Sequence, residues 1–166
     1  VAGFMPNRTE TLIAALGAAW IGAVWSSCSP DFGVSGVLDR FGQIEPKVLF
    51  ACDGYQYNGK WIELDDRIQS LHEQLQPELL VTIPGRGDTS RVRQALNWSD
   101  WLAAADTPPA FVELPFDHPL YIMYSSGTTG APKCIVHGAG GALIQHAKEH
   151  RLHGDLGADD VLFYFT

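Results

Sequence analysis

Short apolar runs alternate with helix-forming segments along almost the whole chain, and no other feature of the sequence constrains the fold as tightly. The runs at residues 1–5, 47–51, 79–83, 120–124 and 134–137 are too short for buried helices and end in turn-forming residues. Helical stretches are expected between them. One runs over residues 9–21, with Thr9 as its cap and Glu10 facing the positive end of the helix dipole. Others cover residues 34–43 and 142–151, and a further one sets Ile68, Leu71 and Leu75 on one face. Residues 23–25 read as a buried strand, Asn58-Gly59 as a tight hairpin turn, and residues 99–105 as a short helix inside a loose segment. Strands alternating with helices predict an α/β fold, a mainly parallel sheet flanked by helices.

Composition narrows what such a fold can serve. The 166 residues carry 11 basic and 19 acidic side chains, a net charge of −8, and no run of Lys or Arg, so a nucleic-acid partner is not expected. The stretch from residue 11 to residue 30 is uncharged, but its glycines, serines and Pro30 read as a buried helix followed by a strand, and no membrane partner is expected. Cys28, Cys52 and Cys134 sit at neither metal nor redox spacing, which suggests free thiols in a cytoplasmic, reducing setting. The chain opens on an apolar run and closes on another at residues 161–166, both expected as buried strands. That pattern suggests a lobe of something larger, whose bare edges allow self-association. The five tryptophans are expected in the core, with Trp25 alternatively bordering a cleft.

The chemistry concentrates in one loop. Tyr124-Ser125-Ser126-Gly127-Thr128-Thr129-Gly130-Ala131-Pro132-Lys133 follows one apolar strand and leads into another. Glycines let backbone N–H groups come close to a ligand, the hydroxyls add donors, and Lys133 supplies a mobile positive charge. Together they suit a polyphosphate. The string is not a Walker A loop, because Pro132 precedes Lys133 and a strand follows where that motif opens a helix.

The string from Ser125 to Lys133 resembles the phosphate loop of the adenylate-forming acyl-CoA synthetase superfamily. Three more strings narrow the resemblance to its acetoacetyl-CoA synthetases: Trp25 to Gly33, Asp39 to Lys47, and Ile135-Val136-His137 followed by Gly140-Gly141 with His146 and His153. Acetyl-CoA and propionyl-CoA synthetases are less similar. The resemblance implies an acid–thiol ligase acting on acetoacetate, ATP and CoA through an acyl-adenylate, with AMP and pyrophosphate released. Ser125, Ser126, Gly127, Thr128, Thr129, Gly130 and Lys133 would bind the nucleotide's phosphates, and Lys133 would also act in catalysis. Ala131 and Cys134 depart from the commonest form of the loop, where many members carry Lys and Gly. Residues 1–166 would then be one lobe of the N-terminal, AMP-binding domain, without the rest of that domain or the C-terminal domain. The magnesium ligands and remaining catalytic motifs are expected outside this stretch, so the fragment alone is expected to be inactive. The alternatives are a fragment of an acetyl-CoA or propionyl-CoA synthetase and a non-catalytic phosphate-binding module.

Other signals carry less. His146, His150 and His153 can share a helix face, but no His-Glu-x-x-His pattern accompanies them, and no residue is assigned to a metal. His137 can line the nucleotide pocket or make a structural hydrogen bond. Asp31-Phe32-Gly33 reads as turn chemistry after Pro30.

Overall fold

The computed structural model describes residues 1–86, 91–104, 107, 109–125 and 130–164. Seven strands make one sheet: β1 (Ala2–Phe4), β2 (Trp25–Cys28), β3 (Val48–Cys52), β6 (Leu79–Ile83), β7 (Leu96–Asn97), β8 (Pro119–Ser125) and β9 (Lys133–Gly138). A separate hairpin, β4 (Gly54–Tyr57) and β5 (Lys60–Glu63), turns at Asn58 and Gly59. The helices are α1 (Thr9–Trp20), α2 (Val34–Phe41), α3 (Asp65–Leu75), α4 (Trp98–Ala103) and α5 (Ala139–Lys148), and α5 runs on into a π-helical turn at Glu149–His153. The strand order is β7-β6-β3-β1-β2-β8-β9, parallel throughout except for β9, which returns antiparallel to β8.

Side-chain alternation along β3 shows how the sheet acquires two cores. Leu49 and Ala51 face α2 and α3, where they meet Val37, Phe41, Ile68 and Leu71. Phe50 faces the opposite way, toward Ala14 of α1 and Trp98 of α4. Its ring makes edge contacts with Trp98 at 5.8 Å and Trp101 at 5.2 Å. A large side chain buried in this way contributes about 1.5–3 kcal/mol. Helices on both faces follow from the right-handed crossovers of parallel strands. The crossover after β1 places α1 on one face and the crossover after β2 places α2 on the other. In a parallel sheet such a change of side opens a crevice at the carboxyl edge.

Several expectations shift in detail. Thr9 is the first helical residue of α1 and not its cap: Arg8 takes the cap position with no side-chain hydrogen bond, while Thr11 Oγ1 donates to Pro6 O at 2.7 Å. The second strand lies at Trp25–Cys28 and not at 23–25, because its register is set by β1, with Ala2 opposite Ser26 and Phe4 opposite Cys28. Helix α5 begins three residues before the expected 142 and changes to π geometry at Glu149. Residues 161–164 form no strand; Val161 and Phe163 are 96% and 84% exposed, with no sheet partner among the described residues. Trp20 leaves the core as well, stacking on Phe111 at 4.1 Å while 38% exposed. No helix among the described residues is long and apolar enough to cross a membrane.

Candidate functional site

Parallel neighbours β2 and β8 pair only at Trp25 with Tyr121 and Ser26 with Ile122. Beyond that point a cleft of about 450 Å³ opens toward the carboxyl edge, walled by Cys28, Ser29, Phe32, Arg40 and Tyr124, with Trp25 at its base. Trp25 thus borders a cleft. It can lie there because Gly3 sits beside it: a Cβ at Gly3 would come within 2.7 Å of the indole Cη2.

Two polar networks hold the walls. Ser26, 1% exposed, donates from Oγ to Ile122 O at 2.8 Å and lies 3.1 Å from the Tyr124 hydroxyl. Burial pushes the Tyr124 phenol up to about 12 and the Cys28 thiol up to about 12. Both therefore stay protonated at neutral pH and serve as wall and donor, not as base or nucleophile. Arg40 stacks its guanidinium over the Phe32 ring at 4.2 Å, lies 5.8 Å from the Tyr124 ring, and donates to Gly36 O at 2.7 Å. It brings a cation to the cleft at little desolvation cost.

The turn after β2 is held from outside. Asp31 accepts from Ser29 Oγ at 3.0 Å and from the Tyr55 hydroxyl at 2.6 Å, and Arg67 donates to Pro30 O at 3.3 Å. Its bonds from Tyr55 and Ser29 hold the Asp31 carboxyl below the usual carboxylate range. Asp31-Phe32-Gly33 is turn chemistry, as its sequence suggests, with Phe32 N donating to Ser29 O at 3.2 Å.

The Gly- and hydroxyl-rich segment after Tyr124 joins β8 to β9 at this same edge. Ser125 and Lys133 face each other as the pair that closes its base, and Gly130 takes a φ of +121, open to solvent, a conformation that only glycine adopts without strain. Lys133 is exposed. Ser126, Gly127, Thr128 and Thr129 lie outside the described residues. The outgoing limb is tied to the end of α2: Gln43 Nε2 donates to Pro132 O at 2.8 Å, and Cys134 Sγ lies 3.5 Å from Gln43 Oε1.

His137 stands apart. It pairs with Tyr121, rings 4.9 Å apart, four ladder positions below Lys133, or about 13 Å along the strand. His146 at the end of α5 and His150 in the π-helical turn stack at 6.3 Å, and no group of three or more His, Cys, Asp or Glu among the described residues could hold a metal. Sequence reading missed Ser26, Tyr55 and Tyr124 as partners in these networks, and Arg40 and Gln43 as site residues. Arg40 and Gln43 lie in the string from Asp39 to Lys47, but only the folded helix end shows where they reach.

Comparison with known proteins agrees with this architecture. The family model described as AMP-binding enzyme matches residues 1–166. Acetoacetyl-coenzyme A synthetase of Rhizobium meliloti (strain 1021) is 50% identical over 171 residues, taking in 100% of this chain and 26% of the relative. Acetoacetyl-CoA synthetase of Mus musculus is 49% identical over 177 residues, again over 100% of this chain and 26% of the relative. Among solved structures, acetoacetyl-CoA synthetase from Streptomyces lividans superposes with a TM-score of 0.94 at 46% identity, over 100% of this chain and 26% of that one. The chain therefore spans about a quarter of the length of these relatives. With its full length matched and its parallel sheet superposed, the chain belongs to the AMP-binding enzyme family.

Proposed function

We propose that the protein carrying this chain is an acetoacetate–CoA ligase and that residues 1–166 supply the part of its N-terminal domain that binds the phosphates of ATP. The observation that carries this reading is the likeness of 100% of the chain to acetoacetyl-CoA synthetases of bacterial and animal origin. In the first step the acid's carboxylate oxygen attacks the α-phosphorus of ATP, the bond to the bridging oxygen breaks, and pyrophosphate leaves. In the second the CoA thiolate attacks the acyl carbonyl carbon and AMP leaves. Phosphoryl and adenylyl transfers of this kind are accelerated mainly by positioning and by stabilising phosphate charge.

In this reading Ser125, Ser126, Gly127, Thr128, Thr129 and Gly130 bind the phosphates through backbone N–H and hydroxyl groups. Lys133, at the base of the loop, neutralises charge on the leaving pyrophosphate. The ladder pair Ser125–Lys133 supports this role, since it brings both ends of the loop together at the carboxyl edge of the sheet. Magnesium enters with ATP as its counter-ion, and CoA is the second-step substrate. The free thiols Cys28, Cys52 and Cys134 fit a cytoplasmic enzyme of small-acid, lipid-related metabolism.

Acid-dependent exchange of labelled pyrophosphate into ATP by the intact protein tests the proposal. Exchange should be faster with acetoacetate than with acetate or propionate. Faster exchange with acetate or propionate would reassign the acid, and no exchange with any acid would leave only a phosphate-binding module.

A further inference from the structure

Gln43, just beyond the end of α2, uses both ends of its side-chain amide on other parts of the chain. Its Nε2 donates to Asp39 O at 2.6 Å, one turn back, and to Pro132 O at 2.8 Å. Its Oε1 lies 3.5 Å from Cys134 Sγ. This orientation is fixed by chemistry, because a flipped amide would set its own oxygen against two carbonyl oxygens. The contacts reach across 89 and 91 residues of sequence and fall on either side of Lys133. The incoming limb of the same loop is held by the same β2–α2 unit: Tyr124 meets Ser26 of β2, and Arg40 of α2 lies over its ring. Strand alternation turns Lys133 to the face opposite Cys134, so fixing Pro132 and Cys134 also fixes the direction in which the lysine leaves the strand.

We propose that Gln43 is a positioning residue for phosphate binding, holding the outgoing limb so that Lys133 meets the nucleotide's phosphates. The proposal rests on the assignment of this loop to ATP phosphates. It concerns a residue that would touch neither ATP nor acid and would act through Pro132 and Lys133.

The test uses the intact protein with Gln43→Met, which keeps the length and shape but makes no hydrogen bond, and Gln43→Glu, which removes both donors and places a charge against two carbonyl oxygens. Losing the bond to Pro132 should raise the KM for ATP in acid-dependent exchange about fivefold in the Met variant, and further in the Glu variant. The KM for the acid and the melting temperature should stay at wild-type values. Alkylation of the exposed Cys134 by iodoacetamide, followed by peptide mass spectrometry, should speed up in both variants. Gln74→Met, at an exposed glutamine bonded to Ser70 one turn back, is the control and should change none of these readouts.

A wild-type KM for ATP in both variants would overturn the proposal, and so would an equal rise in the KM for ATP and for acid. A fall in melting temperature with an unchanged KM for ATP would mark Gln43 as purely structural and overturn it too. If the wild-type protein shows no exchange, the Cys134 readout decides: slowing of alkylation by ATP that is lost in Gln43→Glu supports the positioning role while the ligase assignment falls, and slowing retained in that variant overturns the role.

Discussion

Lys133 lies at the first position of β9, opposite Ser125, exposed and at the mouth of the loop. In the proposed reaction a cation there helps hold the bound phosphates and gains further as charge builds on the departing pyrophosphate, so its removal weakens ATP binding and slows the chemical step more. Lys133→Ala in the intact protein should lower the rate of pyrophosphate exchange by about 100-fold while the KM for acid changes little. Unchanged exchange would remove Lys133 from the mechanism. Arg8 shows a structural use of the same kind of charge. Its guanidinium grips Glu10 through two bonds of 2.6 Å and reaches Cys52 Sγ at 3.2 Å, tying the β1–α1 turn to the end of β3. The hydrogen bond from Arg8 holds the Glu10 carboxyl below its ordinary 4.5. A carboxyl depressed in the folded state adds stability above its unfolded pKa and loses it as pH falls through the folded value. Arg8→Gln should therefore destabilise the protein by about 1 kcal/mol at pH 7, and the gap from wild type should close as pH falls below 4.5. Melting curves across that range check it; a gap that persists in acid would mean that the arginine acts through packing and its bond to Cys52 and not through Glu10.

At the scale of elements, the sequence reveals what is governed by local chemistry. Strand β6 occupies the expected residues 79–83. The Asn58-Gly59 turn forms with φ of 46 and 73, the left-handed values that a tight hairpin needs and that asparagine and glycine tolerate. Helix α3 buries Ile68 and Leu71 as the spacing foretells. Elements shaped by neighbours are harder to read. The strand Trp25-Ser26-Ser27-Cys28 is half polar, and Ser26 is buried only because Ile122 O and Tyr124, nearly a hundred residues on, satisfy its hydroxyl. Strand β7, two residues long, forms because β6 offers an edge at Val81 and Thr82. The cleft follows the same logic. Its loop is legible as a string of glycines and hydroxyls, whereas Arg40 and Gln43 look like ordinary residues of a helix end until the fold carries that end to β8 and β9. Periodicity reports which face of a helix is apolar and is silent on where its polar end will reach.

For the whole molecule, the balance of apolar surface and charge decides how residues 1–166 behave by themselves. On α1, Leu12 and Leu16 are each 60% exposed, and Ile21 just past its end is 52% exposed; at the other end of the sheet Met123 and Val136 are 55% and 56% exposed. Side chains of this size contribute about 1.5–3 kcal/mol each when fully buried, so covering the exposed half of the three on and beside α1 is worth about 3 kcal/mol. Association costs an estimated 4–15 kcal/mol in lost translational and rotational freedom. Contact through one such face is therefore weak, and the net charge of −8 on every copy weakens it further. Added salt screens that repulsion, with the Debye length falling from about 30 Å at 0.01 M to about 8 Å at 0.15 M. Residues 1–166 expressed alone should accordingly self-associate reversibly, with an apparent mass that rises with protein concentration and rises further with salt. Sedimentation equilibrium at two ionic strengths measures both dependences. A strictly monomeric species at high concentration and high salt would show that these apolar faces do not associate. A tight dimer unaffected by salt would require a contact more specific than exposed apolar surface, and would contradict the estimate of a weak, charge-opposed association.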